Sequence, residues 1–166
     1  MRILGVDPGL NRTGFGVVQV EGARCVLVAA GDIRPNPKAG LPLRLAKIHT
    51  ELAVLADRYQ PQVLVLEQAF THARFPTAAQ RMGHARGVIC LLAQEKGILL
   101  AEYLPTRIKR ALTGRGHATK DQVARMVQQW LGAFDPSWSS DATDALALAI
   151  AHAHMETNRA ALARAA

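Results

Sequence analysis

Hydrophobic residues near the N-terminus follow patterns typical of β-strands. Residues 2–7 are apolar at almost every position between their charged ends, which is typical of a central strand buried on both faces. Residues 15–20 and 24–33 are two further predicted strands, joined by a tight Glu-Gly-Ala turn. A turn rich in Gly, Pro and Asn separates the first strand from the second. Together these segments predict an antiparallel meander.

Helical periodicity begins after residue 40. In the segment 41–60, Leu45, Ile48 and Leu52 recur at helical spacing, and Pro61 ends the segment. Further strands are predicted at 63–67 and 98–104, and further helices at 78–97, 105–114, 120–132 and from residue 141 onward. This order of elements predicts an α/β fold in which a mixed five-stranded sheet carries helices on both faces.

Length and composition favour one compact unit. The chain has 166 residues, and 49% of them are hydrophobic, which excludes a disordered chain and allows a sizeable core. Repeats, low-complexity segments and linkers are not recognisable in the sequence. We therefore expect a single domain over residues 1–166, in which residues 155–166 extend the last helix or fray from it.

The charge balance favours a polyanionic partner. Lys and Arg number 20 against 13 Asp and Glu, which gives a net charge of +7 and an isoelectric point near 10.1. Such a surplus favours nucleic acid over a membrane, although a merely basic protein would show the same balance.

Cysteine use and hydropathy indicate the compartment. Cys25 and Cys90 lie in apolar runs without metal-ligand spacing, so we expect both to be reduced packing residues. The N-terminal residues reach an acid at Asp7 and do not resemble a signal peptide, and no apolar run is long enough to cross a bilayer. A cytoplasmic protein without membrane association is the expectation.

Two carboxylates stand at the head of a very apolar predicted helix. Asp141 and Asp144 precede the run Ala-Leu-Ala-Leu-Ala-Ile-Ala-His. On these residues alone, capping and the helix dipole are a sufficient explanation. Positions i and i+3 also share one face of a helix, so both side chains are able to reach a single cation.

Two more acids end the predicted central strands. Asp7 closes the segment 2–7 and Glu67 closes the segment 63–67. Each alone is consistent with a turn residue or an exposed strand end, but sites in open α/β sheets collect where strands end. With Asp141 and Asp144 they would form an all-oxygen set, which favours Mg²⁺ or Mn²⁺ over Zn²⁺. Carboxylate-held pairs of such ions hydrolyse phosphodiesters, so a basic protein with this cluster is interpreted as a nuclease.

Five stretches in order resemble a known family. They read GVDPGLNRTGFGVV, LVLEQAF, HARGV, TRIKRALTGRGHATKDQVARMV and DATDALALAIAH, and they extend from residue 2 to about residue 155. The set resembles the RuvC-type Holliday-junction resolvases, which have a ribonuclease-H-like fold. The chain departs from the family pattern at His84, where the family has Gln, and in the segment 71–80 after Phe70.

The resemblance implies an activity and partners. It implies a Mg²⁺-dependent (or Mn²⁺-dependent) endodeoxyribonuclease that acts as a homodimer on four-way junction DNA and nicks two opposed strands symmetrically. It also implies an association with the RuvA–RuvB branch-migration complex. By the same resemblance, the metal-binding catalytic set is Asp7, Glu67, Asp141 and Asp144.

The resemblance also points to residues that act on DNA. Lys109 and Lys120 fall on functionally important lysines of the family, and Phe70 falls on an aromatic residue that wedges at the junction. Lys120 is expected to neutralise charge on the scissile phosphate or to polarise water. The full predicted DNA-binding set is Phe70, Arg74, Arg81, Arg107, Lys109, Arg115 and Lys120.

Three other features concern packing. The first has two interpretations, and the other two have a structural one. Small residues in the segment 78–97 suit either a two-fold interface or close packing on the sheet. His152 lies eight residues beyond Asp144, about 12 Å along a helix, so we interpret it as structural. Trp130 and Trp138 are expected to anchor the core and a loop.

Two other functions share some of these features. A related ribonuclease-H-fold nuclease acting on RNA or an RNA–DNA hybrid would have the same acids. A nucleotide-binding module of the actin-like type would open with a similar strand–turn–strand hairpin, but that class needs a second large domain.

Overall fold

One mixed sheet organises the fold. The computed structural model describes residues 1–68, 76–132, 135 and 137–165. The strands are β1 (Arg2–Asp7), β2 (Thr13–Glu21), β3 (Arg24–Ile33), β4 (Val63–Glu67) and β5 (Leu99–Tyr103). Their order across the sheet is β3-β2-β1-β4-β5, with β1, β2 and β3 antiparallel and β4 and β5 continuing parallel to β1.

Helices cover both faces of the sheet. They are α1 (Leu41–Tyr59), α2 (Pro76–Glu95), α3 (Pro105–Thr113), α4 (Lys120–Leu131) and α5 (Ser140–Ala165). Helices α1 and α2 pack on one face, and α3, α4 and α5 pack on the other. The predicted fold class is confirmed, and the predicted boundaries differ from these by at most two residues.

Side chains on the two faces of β1 pack into two separate hydrophobic cores. Ile3 packs with α5 and its neighbours on one face, while Leu4 and Val6 pack with α1 and α2 on the other. All three side chains are fully buried, which explains why β1 is apolar at successive positions. Burial of a side chain of this size contributes roughly 1.5–3 kcal/mol, so the central strand is held firmly in place.

Helix α5 lies unusually close to the sheet. Gly5 of β1 pairs with Gly16 of β2, and both lie beneath the helix. A Cβ at Gly5 would stand 2.0 Å from the carbonyl oxygen of Ala145, and one at Gly16 would stand 2.7 Å from the side chain of Leu146. Glycine is therefore required at both positions for the helix to pack on these strands.

Helix α5 is apolar because most of its first half is buried. His152 is buried within it, and its Nδ1 hydrogen-bonds the hydroxyl of Tyr103 on β5 at 2.7 Å, which confirms the structural interpretation. Trp130 and Trp138 pack against the same core, as predicted. Among the described residues, no helix combines the length and the apolar character needed to cross a membrane.

The two cysteines are both free thiols. Cys25 is buried in the core, and burial raises its pKa. Cys90 is half-buried beside the opposite core. Cys25 is therefore a buried packing residue, as predicted, whereas Cys90, which was also expected to be buried, is only partly so.

Candidate active site

Asp7 and Glu67 meet at one edge of the sheet. Strands β1 and β4 are parallel neighbours, with Val6 opposite Leu66, so the next residue of each strand is an acid. Parallel strands bring their carboxyl ends to the same edge, which places both side chains there. The two acids therefore belong to one site even though sixty residues separate them in sequence.

The N-terminal end of α5 supplies Asp141 and Asp144. The hydroxyl of Ser139 accepts a hydrogen bond from the amide of Ala142 at 3.0 Å, so Ser139 caps this helix. Capping therefore does not explain Asp141 and Asp144. Both acids instead line the same pocket as Asp7 and Glu67.

A glycine on β2 lets this turn approach the sheet. Gly14 pairs with Asp7, and a Cβ at Gly14 would stand 2.0 Å from the carbonyl oxygen of Asp141. Gly14 thus sets the distance between the acid on β1 and the acids on α5. It is not among the residues predicted from sequence, although a glycine inside a strand is a known signal of close backbone approach.

One open pocket of about 450 Å³ is lined by all four predicted acids. Its walls come from β1, β4, the turn after β1, and helices α2, α3, α4 and α5. The charged residues that line it are Asp7, Arg12, Glu67, Lys109, Lys120, Asp141 and Asp144. The pocket has the size of a small-ligand site and is open to solvent, as a site for a phosphate within a long polymer requires.

The negative charges of neighbouring carboxylates raise the pKa of Asp7 and of Glu67. Burial, with the negative charges of Asp144, Asp141 and Glu67, raises the pKa of Asp7 to about 7, and Lys120 opposes this rise. Burial and the charge of Asp144 also raise the pKa of Glu67. The site is therefore short of positive charge for the number of carboxylates that it gathers.

Two side-chain cations partly compensate the acids. The Nζ of Lys120 lies 2.8 Å from Oδ2 of Asp144, and this hydrogen bond raises the pKa of Lys120. The Nε of Arg12 lies 3.6 Å from Oδ2 of Asp141. Arg12 was not predicted as a site residue. Its signal in the sequence is a basic residue in the turn directly after the first acid.

The donor set fits a hard divalent cation. Within the described residues, no group of three or more His, Cys, Asp or Glu side chains is already drawn together as a ligand set. The four carboxylates instead line the pocket walls, two of them paired with Lys120 and Arg12. They offer only oxygen atoms, which Mg²⁺ and Mn²⁺ prefer. A divalent cation would also relieve the repulsion that raises the pKa of Asp7.

Comparison with known proteins shows the family. The family model described as "Crossover junction endodeoxyribonuclease RuvC" matches residues 3–152. The chain belongs to the RuvC family. Relatives of that name from Nitrobacter hamburgensis and Xanthobacter autotrophicus are each 42% identical to it. The alignments cover 93% of this chain and 89% of the first relative, and 99% of this chain and 95% of the second.

Solved structures confirm the ribonuclease-H-like fold. A structure of Thermus thermophilus RuvC in complex with a Holliday junction substrate matches with a TM-score of 0.89 and 32% identity, over 96% of each chain. The yeast mitochondrial Holliday junction resolvase matches with a TM-score of 0.63 over 95% of this chain and 80% of that one. At 15% identity the yeast match shows the shared fold alone.

The predicted DNA-binding residues of this RuvC family member fall into three groups. Lys109 and Lys120 line the acid pocket. Arg81 is exposed on α2, in an adjoining cleft that shares Pro8, Gly9 and Met82 with the acid pocket. Arg107 lies outside the acid pocket and stacks on Tyr103, 5.1 Å from the ring centroid, and Arg115 is exposed in the loop before α4. The other two members of the set, Phe70 and Arg74, lie outside the described residues.

Proposed function

We propose that this chain is a divalent-metal-dependent endodeoxyribonuclease that resolves four-way DNA junctions by hydrolysing two opposed phosphodiester bonds symmetrically. The observation that carries the proposal is the convergence of Asp7, Glu67, Asp141 and Asp144 on one pocket. Its family and the junction-bound Thermus thermophilus relative supply the substrate class. We expect the enzyme to act in the cytoplasm.

The acids would hold the metal. Asp7 stands at the centre of the set, because its pKa responds to each of the other three acids. When bound, Mg²⁺ or Mn²⁺ would supply the Lewis acidity that in-line hydrolysis at phosphorus requires, with two ions as the expected arrangement. The side chains that we assign to the ions are Asp7, Glu67, Asp141 and Asp144.

Lys120 would contribute a positive charge to the reacting phosphate. Its side chain is 77% exposed at the pocket rim, and its ammonium group pairs with Asp144. With Asp144 engaged in holding a metal ion, the ammonium group of Lys120 would be free to stabilise the negative charge that develops on the phosphate. Lys109 lines the same pocket and provides a second cation close to Glu67.

Basic side chains around the pocket would hold the DNA backbone. Arg81 lines the adjoining cleft, and Arg107 and Arg115 are exposed on α3 and in the loop after it. Phosphate contacts of this type position a duplex arm without reading its sequence. Phe70 and Arg74 remain assigned to the junction by resemblance alone.

A homodimer would form through the solvent face of α2. Leu91 is 54% exposed there, and it follows Gly83 and Gly87 at four-residue intervals on one face of the helix. In the described part of the chain, a Cβ placed at Gly83 or Gly87 would have no heavy atom within 4 Å apart from the neighbouring backbone of α2 itself. Packing on the sheet therefore does not explain these two glycines, whereas close approach of a second α2 does. Two active sites would cut the junction symmetrically, and the RuvA–RuvB complex remains the proposed partner.

Metal-dependent cleavage of a synthetic four-way junction tests the proposal. We expect Mg²⁺ or Mn²⁺ to support paired nicks in the junction, with little cleavage of linear duplex or of an RNA–DNA hybrid. Asp7→Asn should bind the junction and fail to cleave it. The matched control is Asp57→Asn, which alters an acid paired with Lys96 far from the pocket. Preferred cleavage of the hybrid would favour the related ribonuclease-H-type activity instead.

A further inference from the structure

A row of three residues crosses the sheet beneath the first turn of α5. Asp7 on β1 lies opposite Gly14 on β2, and Gly14 lies opposite Asp32 on β3. The carbonyl of Asp141 sits directly above Gly14. The hydroxyl of Ser139 donates a hydrogen bond to the Asp32 carboxylate at the end of the row. The turn is therefore fixed to the sheet on the side opposite to Asp7.

Ser139 links the helix to this row through both functions of its hydroxyl. It accepts from the amide of Ala142 at 3.0 Å and donates to Oδ1 of Asp32. The hydroxyl of Thr143 in turn donates to the carbonyl of Ser139 at 3.0 Å. Of these three contacts, only the hydrogen bond to Asp32 crosses from the helix to the sheet. A rotation of the first turn of α5 would break it, so this bond fixes the orientation of the turn.

Asp32 is well suited to act as the fixed point. Its side chain is only 7% exposed, and its second oxygen accepts from Arg34 at 3.0 Å. A carboxylate next to a helix N-terminus is also favoured by the helix dipole. Neither Asp32 nor Ser139 lines the acid pocket, so neither is placed to touch metal or DNA there.

We propose that Asp32 and Ser139 are positioning residues that set the affinity of the acid site for divalent cations. Ser139 precedes Asp141 by two residues, so anchoring Ser139 fixes where Asp141 stands relative to Asp7. The inference rests on the proposed metal-dependent function. The rest of α5 is held by buried apolar residues from Ala145 to Ala153, so loss of the anchor loosens the first turn without detaching the helix.

Two truncations and two conservative replacements test the hydrogen bond between Ser139 and Asp32. Ser139→Ala and Asp32→Ala each remove this bond. Ser139→Thr keeps the hydroxyl, and Asp32→Asn keeps an acceptor oxygen. Arg34→Ala is the matched control, because it removes the exposed partner of Asp32 and leaves the hydrogen bond to Ser139 in place.

Two Mn²⁺ titrations are measured for each variant: the shift in melting temperature and the rate of junction cleavage. We expect Ser139→Ala and Asp32→Ala to raise the half-saturating Mn²⁺ concentration about tenfold in both titrations, as loss of residues that orient metal ligands does in other proteins. At saturating Mn²⁺ the cleavage rate should return close to that of the wild type. The double variant should shift no further than Ser139→Ala, because that change already removes the hydrogen bond to Asp32 together with the cap on Ala142.

The outcomes separate the inference from the proposed function. If the wild type cleaves junctions but the two truncations leave the Mn²⁺ midpoint unchanged, or shift it no more than Arg34→Ala does, the positioning role is overturned and the function stands. Additive shifts in the double variant, or no recovery in Ser139→Thr and Asp32→Asn, overturn it as well. If Mn²⁺ neither stabilises the wild type nor supports cleavage, both proposals fail.

Discussion

At the scale of single residues, Asp7 combines burial with close negative charge. Its carboxyl has a pKa of about 7 against an ordinary value of 3.8, because burial and three neighbouring acids disfavour the charged form. The folded protein therefore binds this proton more tightly than the unfolded chain does. In the absence of metal, the stability that Asp7 contributes is present at low pH and is lost as the pH rises from about 4 to about 7.

Replacing Asp7 should remove this loss of stability at higher pH. In chelator at pH 8, Asp7→Asn is expected to melt a few degrees higher than the wild type, and the difference should shrink as the pH falls to 4. Thermal unfolding followed by circular dichroism across this pH range measures both. A variant that melts below the wild type at pH 8 would contradict the electrostatic description of the site.

Lys120 offers a second test at this scale. Lys120→Gln removes the cation paired with Asp144 but leaves all four acids in place. We expect junction cleavage at saturating Mn²⁺ to slow by about a hundredfold, because charge stabilisation in the transition state is lost. The half-saturating Mn²⁺ concentration should not rise, since a competitor for Asp144 has gone. Single-turnover cleavage over an Mn²⁺ series separates the two effects, and a higher midpoint with an unchanged rate would contradict the assigned role.

At the scale of elements, periodicity was sufficient to predict the sheet and its helices. The acids at the ends of β1 and β4 were predictable because buried parallel strands end at one edge. The roles of Gly14, Ser139 and Asp32 were not predictable, because each depends on where α5 crosses the sheet. Arg12 was missed for the same reason, since its partner Asp141 is remote in sequence.

Gly14→Ala tests how α5 is seated on the sheet. The added Cβ would stand 2.0 Å from the carbonyl oxygen of Asp141, so the first turn must shift away from Asp7. We expect a stability loss of about 1–3 kcal/mol in urea unfolding and a large loss of cleavage. Gly116→Ala is the matched control, because its Cβ meets only ordinary contacts from 3.4 Å. Equal behaviour of the two variants would show that the close approach has no consequence.

At the scale of the whole molecule, the net charge of +7 and the exposed face of α2 both point to function in an assembly. The charge favours DNA, and the open glycines on α2 favour a second copy of the chain. Composition predicted the first property. The homodimer, expected from the resemblance, stays a proposal. The sequence left the small residues of α2 open between an interface and packing against the sheet, and the open glycines favour the interface.

Placing a charge on α2 should separate the dimer. Leu91→Glu is expected to give a folded monomer that binds junctions weakly and makes no paired cuts, because a buried carboxylate at a two-fold interface would face its own copy. Val54→Glu on α1, where the native side chain is 59% exposed, should remain dimeric. Sedimentation equilibrium gives the oligomeric state, and a Leu91→Glu dimer as stable as the wild type would place the interface elsewhere.

The most direct test of the metal assignment is anomalous X-ray diffraction from crystals grown with Mn²⁺. The predicted result is Mn²⁺ density between the carboxylates of Asp7, Glu67 and the first turn of α5, with this density lost in Asp7→Asn. Saturating Mn²⁺ with no anomalous peak in this pocket, or with a peak that Asp7→Asn leaves unchanged, would contradict it.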